Sequence, residues 1–105
     1  MFRNKLRHVD FEWNETKNKE NIRKHGLDFA DAWEIFEGFI LTALDLRDGY
    51  DEDRWKGIGL LGNRMVVVVF TERNEGMVRI ISLRKALKHE RERFENALRN
   101  RLGAD

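Results

Sequence analysis

Residues 55–71 read WKGIGLLGNRMVVVVFT, and this stretch decides the fold. Two runs rich in aliphatic and β-branched residues, 55–61 and 65–71, flank Gly62-Asn63, a pair that tolerates positive φ and suits a tight hairpin. The second run is continuously apolar over 66–70, the pattern of a central strand covered on both faces. Downstream, Asn74-Glu75-Gly76 reads as a turn into a further strand at 77–83. Upstream, 39–46 is β-like, and 10–13 alternates polar and aromatic residues as a short first strand. Helical signals fill the remainder. Asn14 and Gly26 mark the ends of a first helix. Asp28 opens a second, with Phe29, Ala30, Ala32, Trp33 and Phe36 at helical spacing. Residues 85–102 favour a last helix striped by Leu87, Phe94, Ala97, Leu98 and Leu102. The expected fold is α+β: one small domain over 1–105, core about 9–100, with an antiparallel sheet, two N-terminal helices and a C-terminal helix.

Composition bounds the function. At 105 residues, 41% of them hydrophobic, the chain suffices for one core. It contains no cysteine, which removes disulfides and thiolate metal sites and fits a reducing, cytoplasmic setting. No apolar run approaches the roughly 20 residues that span a bilayer, so no membrane partner is expected. The net charge of +1 hides a segregation: residues 1–26 sum to +3, 27–53 to −8 and 54–105 to +6. Folded onto one face, the two basic segments would present an electropositive surface suited to phosphate; the acidic middle could instead neutralise them.

The first helix is nearly all polar. Ile22 is its large aliphatic residue, and Lys17, Asn18, Lys19, Asn21, Arg23, Lys24 and His25 form a face that burial alone does not explain. His25 carries the side chain whose ordinary pKa, about 6.5, lets it exchange protons near neutrality, while Lys24 and His25 also suit a helix C-terminus electrostatically. Both readings stand. Arg79 lies inside an apolar strand and demands a partner, either a phosphate or a structural carboxylate. Simple alternation sets Ser82 and Arg84 on the face opposite Arg79, with Ser82 also available to cap the last helix. Glu90 falls on the buried stripe of that helix, as an ion pair to Arg79, Arg84 or a histidine, or as a general base. His8 and His89 have weaker contexts. Asp45, Asp48, Asp51, Glu52 and Asp53 lack the ordered spacing of a calcium loop and read as a solvated acidic loop, so neither metal nor cofactor is expected. Trp33 reads as core, and Trp55, between Arg54 and Lys56, as a stacking platform for a base.

In combination these residues resemble the BrnT family of bacterial type II toxin–antitoxin ribonuclease toxins. The resemblance rests on Phe11-Glu12-Trp13-Asn14-Glu15 with Lys17 and Asn21, and on Lys24-His25-Gly26 followed by Phe29 and Ala32. It continues through Glu52-Asp53-Arg54 and Arg79-Ile80-Ile81-Ser82-Leu83-Arg84 with Ala86 and Glu90. It spans about 9–98. The chain departs from it in having Asn14 where Asp is common and Phe94 where Tyr is common; asparagine also caps a helix, and phenylalanine loses only a hydroxyl. The resemblance implies a RelE-like fold and an RNA-cleaving toxin that inhibits translation. Its implied partner is a BrnA-like ribbon-helix-helix antitoxin, through which the pair would bind operator DNA and repress its own operon. In that frame Lys24, His25, Arg79, Arg84 and Glu90 are the expected catalytic set, and Lys17, Arg23, Arg54, Trp55 and Ser82 the expected RNA contacts. The competing reading is a non-catalytic module that binds nucleic acid or protein.

Overall fold

The computed structural model describes residues 9–45, 53–74 and 76–103. Its sheet comprises β1 (Asp10–Trp13), β2 (Leu41–Leu44), β3 (Trp55–Leu61), β4 (Arg64–Glu72) and β5 (Met77–Lys85), in the order β1-β5-β4-β3-β2. The expected hairpin forms β3 and β4 about Gly62-Asn63, and the apolar run is the middle strand. Most of the acidic loop, with Leu46, Asp48, Asp51 and Glu52, lies outside the described residues, as do His8 and Glu75.

The sheet is mixed rather than antiparallel throughout. β2, β3, β4 and β5 pair antiparallel, but β1 runs parallel to β5, with Phe11 opposite Val78 and Trp13 opposite Ile80. No turn links β1 to β5, and two helical segments and three strands intervene. Hairpins announce themselves through turn residues; a pairing between chain ends leaves no such local signal.

Helix α1 (Glu15–His25) has the expected caps. The Asn14 side chain accepts the Lys17 N–H at 3.0 Å, and Gly26, at φ 70°, donates its N–H to Ile22 O at 2.8 Å. The residues that dock α1 are not aliphatic. Ile22 is 40% exposed, whereas Asn18 and Asn21 are buried. Nδ2 of Asn21 donates to Leu83 O at 2.8 Å and to Leu27 O at 3.0 Å, and its Oδ1 accepts the Leu83 N–H at 3.2 Å. The Asn21 amide thus takes over the edge of β5 where β1 stops. Asn18 donates to Asp28 at 2.9 Å and accepts the Phe29 N–H at 2.8 Å. Asn21→Ala would leave three backbone groups without these partners at a site closed to water, so a loss of about 3 kcal/mol is expected. An unchanged midpoint in a urea titration would contradict this anchoring role.

The second N-terminal segment, Phe29–Glu37, is a 3₁₀ helix. Its buried residues, Phe29, Ala32 and Ile35, recur every three positions, the period of a 3₁₀ helix, and Ala30 is exposed. Asp28 caps it through the Ala30 N–H at 2.9 Å. That bond and the Asn18 amide hold the Asp28 carboxyl below its ordinary pKa. Two glycines of β3 make room for this layer. A Cβ on Gly59 would lie 2.7 Å from Ile35 Cγ2, and one on Gly57 2.6 Å from Ile40 Cδ1. The core on this face joins Phe29, Ala32 and Ile35 to Val66, Val68, Phe70, Ile80 and Leu83.

Helix α2 (Lys88–Arg101) covers part of the other face, where Phe94 clusters with Ile58, Val67 and Ala86, and Leu98 packs against them. It starts later than expected because β5 continues to Lys85. Its apolar stripe is also shorter, since Leu87 and Leu102 are 55% and 73% exposed. Among the described residues no helix is long and apolar enough to cross a membrane.

Candidate functional site

The sheet face under α2 gathers cations because of one irregularity. Across β3, β4 and β5, Val69 sits between Lys56 and Ser82, and Val67 between Ile58 and Arg84. Between Val69 and Phe70 the register shifts, so that Phe70 faces Ile80 and Thr71 faces Arg79, leaving Ile81 as the extra residue. A bulge inverts the alternation beyond it. Arg79 therefore shares a face with Ser82 and Arg84, contrary to the expectation from simple alternation.

At the α2 end of this face, Arg84 grips Glu90 with two parallel bonds, NH1 to Oε1 at 2.9 Å and NH2 to Oε2 at 2.8 Å. Lys56 Nζ lies 3.2 Å from Oε2, and Oε1 also accepts the Leu87 N–H at 2.8 Å, so Glu90 rather than Ser82 caps α2. The Glu90 side chain is 1% exposed. The Arg84 hydrogen bonds, joined by those from Leu87 and Lys56, outweigh burial and hold its carboxyl far below the usual carboxylate range. An oxygen pair so fully engaged is a poor proton acceptor. Glu90 is the ion pair that fixes α2 to the sheet and aims Lys56 and Arg84.

Arg79 lies five residues back along β5, roughly 16 Å at about 3.3 Å per residue. Its NH1 donates to Glu12 at 3.3 Å, and Arg73 Nε is 3.9 Å from the same Glu12 oxygen. The Arg79 side chain remains 28% exposed. Across from it, Thr71 is buried, its hydroxyl without a hydrogen-bond partner among the described residues.

Lys24 and His25 are exposed at the C-terminus of α1. The helix follows β1 directly, and its Asn21 sits at Leu83 of β5. His25 lies four residues, about 6 Å of helix, beyond Asn21. The expected catalytic set thus divides: Arg84 and Glu90 pair at one end of β5, Arg79 lies toward the other, and Lys24 and His25 stand exposed at the end of α1. Ser82 lies between Arg79 and Arg84.

The expected RNA contacts scatter. Lys17 and Arg23 are exposed on α1, Arg23 being 3.6 Å from Glu20. Trp55 pairs with Phe70 in register and packs against the main core, on the face away from Arg84; Arg54, half-buried, precedes it. Trp33 is half-buried, and His89 is exposed on α2. Among the described residues no three His, Cys, Asp or Glu side chains are grouped as metal ligands. The roles of Lys56, Glu12 and the two asparagines were missed by sequence reasoning. Alternation with Ile58 could have found Lys56, and alternation with Phe11 and Trp13 could have found Glu12.

Comparison with solved structures finds the ribonuclease toxin BrnT of Brucella abortus, 29% identical, with a TM-score of 0.59, over 76% of this chain and 99% of that one. Comparison with curated proteins gives no match. The family model described as the ribonuclease toxin BrnT of type II toxin–antitoxin systems matches residues 13–90, which span the last residue of β1, the other four strands whole and all of α1. The matched segment ends on Glu90 and includes Lys24, His25, Arg79 and Arg84. The chain belongs to the BrnT family of ribonuclease toxins.

Proposed function

We propose that this chain is a metal-independent endoribonuclease whose activity inhibits translation in the cytoplasm. On this reading residues 1–105 form one RelE-like toxin domain. A BrnA-like ribbon-helix-helix antitoxin neutralises it and carries the pair to operator DNA. The observation that supports catalysis is that Asn21, one helical turn before His25, is bonded to the backbone of Leu83, the residue before Arg84.

Cleavage of RNA without a metal begins when a base removes the 2′-hydroxyl proton. The 2′-oxygen then attacks phosphorus, the bond to the 5′-oxygen breaks with a proton delivered to it, and a 2′,3′-cyclic phosphate remains. His25 is the base in this scheme. Lys24 and Lys56 stabilise the charge that accumulates on the phosphorane, and Arg84, its terminal nitrogens engaged by Glu90, adds positive potential. Arg79 and Ser82 hold a neighbouring stretch of backbone, while Lys17, Arg23 and Arg54 add weaker long-range attraction.

Arg79→Ala separates binding from chemistry. It is expected to raise KM about tenfold with little change in kcat, and to lower the salt dependence of RNA affinity by about one charge. Loss of kcat at unchanged KM would move Arg79 into the reacting centre instead. The chemistry itself is tested by end-group analysis of the fragments. Cyclic phosphate ends are expected; fragments bearing a free 3′-hydroxyl would exclude attack by the 2′-oxygen.

A further inference from the structure

The sheet face away from Arg84 ends in a cavity that this mechanism leaves unused. It encloses about 550 Å³, within the ordinary range of small-ligand pockets. Phe36, Trp55 and Phe70 wall it, and Thr42, Arg73 and Asn74 stand among its polar lining. The aromatic wall is braced: Phe36 meets Phe70 edge to face with ring centres 5.0 Å apart, and Phe11 with ring centres 5.3 Å apart. A ligand that is flat, apolar on its faces and polar at its edges satisfies both parts of this lining.

Arg73 links the cavity to the cationic face. It lines the cavity, and its Nε lies 3.9 Å from the same Glu12 oxygen that Arg79 holds at 3.3 Å. A strand held through one phosphate at Arg79 would pass Arg73 as it rounds the sheet end and bring a base to the cavity mouth. We propose that the cavity receives one unpaired RNA base, stacked against Trp55 and read at its edge by Asn74 and Thr42, and that this base sets the sequence preference of cleavage. The role in cleavage rests on the ribonuclease reading; the capture of a base does not.

Binding of the four nucleoside 5′-monophosphates, followed by chemical-shift perturbation, tests capture directly. One nucleotide is expected to bind about tenfold tighter than the rest, with Trp55→Leu weakening it by a similar factor or more. Trp55 also packs against the core, so Asn74→Ala, a change on an exposed turn, is the second variant; it should level the preference among the four. Uniform binding of all four, unaltered by Asn74→Ala, would overturn the proposal. So would a cavity that excludes every nucleotide but takes an amphipathic peptide. Cleavage at unchanged positions by Asn74→Ala would end the specificity role while leaving the ribonuclease intact. Selective, Asn74-dependent binding in a protein that cuts no RNA would retain the base site and end the ribonuclease reading.

Discussion

Replacing His25 with alanine is expected to lower the single-turnover rate of RNA cleavage about a hundred- to ten-thousandfold, the usual contribution of a positioned general base. The change should be nearly silent in stability. His25 is exposed at the last position of α1, where a cation contributes at most about 1 kcal/mol through the helix dipole. RNA affinity should move little, because Lys24, Lys56, Arg79 and Arg84 still supply the positive potential. That combination, chemistry lost with fold and binding retained, distinguishes a proton-handling residue from one that completes a charge pattern. A His25→Ala protein cutting at the full rate would remove His25 from the mechanism.

The second large effect falls on stability. Glu90→Gln keeps the shape of the side chain but removes the charge that Arg84 and Lys56 face. Breaking such a pair costs about 3 kcal/mol, the lower end for buried pairs because the Arg84 and Lys56 side chains remain 32% and 39% exposed. Its pH dependence has a fixed sign. The folded state lowers the Glu90 pKa from an ordinary 4.5, so the carboxylate stabilises fully above that value and the gain is lost as pH falls below it toward the depressed folded pKa. Urea titrations at pH 7, 5 and 3 should show a constant gap between the two proteins at the first two and a narrower one at the third. A gap that widens on acidification would contradict the assignment. Loss of activity in Glu90→Gln carries no evidence of proton transfer, because the variant also releases α2 and the two cations.

These two residues show where the sequence was legible. Gly62-Asn63 and the apolar run after it placed the central hairpin, and Asn14, Gly26 and Asp28 marked helix ends, because turns and caps act over a few residues. Glu90 was readable as an ion pair from its position on a buried stripe, and Arg84 as one of its possible partners. The direction of β1 and the bulge at Val69 and Phe70 were not readable: each depends on strands distant in the chain, and the bulge leaves no glycine to betray it. The polar first helix misled in an instructive way. A face without aliphatics suggested a free surface, yet Asn18 and Asn21 are buried because their amides replace missing backbone partners at the edge of β5 and the start of the 3₁₀ helix. Polarity alone does not distinguish a side chain that meets solvent from one that substitutes for a strand. The 3₁₀ segment was read as an ordinary helix because Trp33 and Phe36 fit a period of 3.6, while Ile35, which completes the spacing of three, was left out.

The most direct measurement of the central claim is incubation of labelled RNA with the purified chain in EDTA, with and without ribosomes. A His25→Ala, Arg79→Ala double variant, shown to be folded by circular dichroism, stands beside it. Fragments are expected from the first protein and intact RNA from the second. RNA left whole by the unaltered chain under both conditions, or cut equally by the double variant, would contradict that claim.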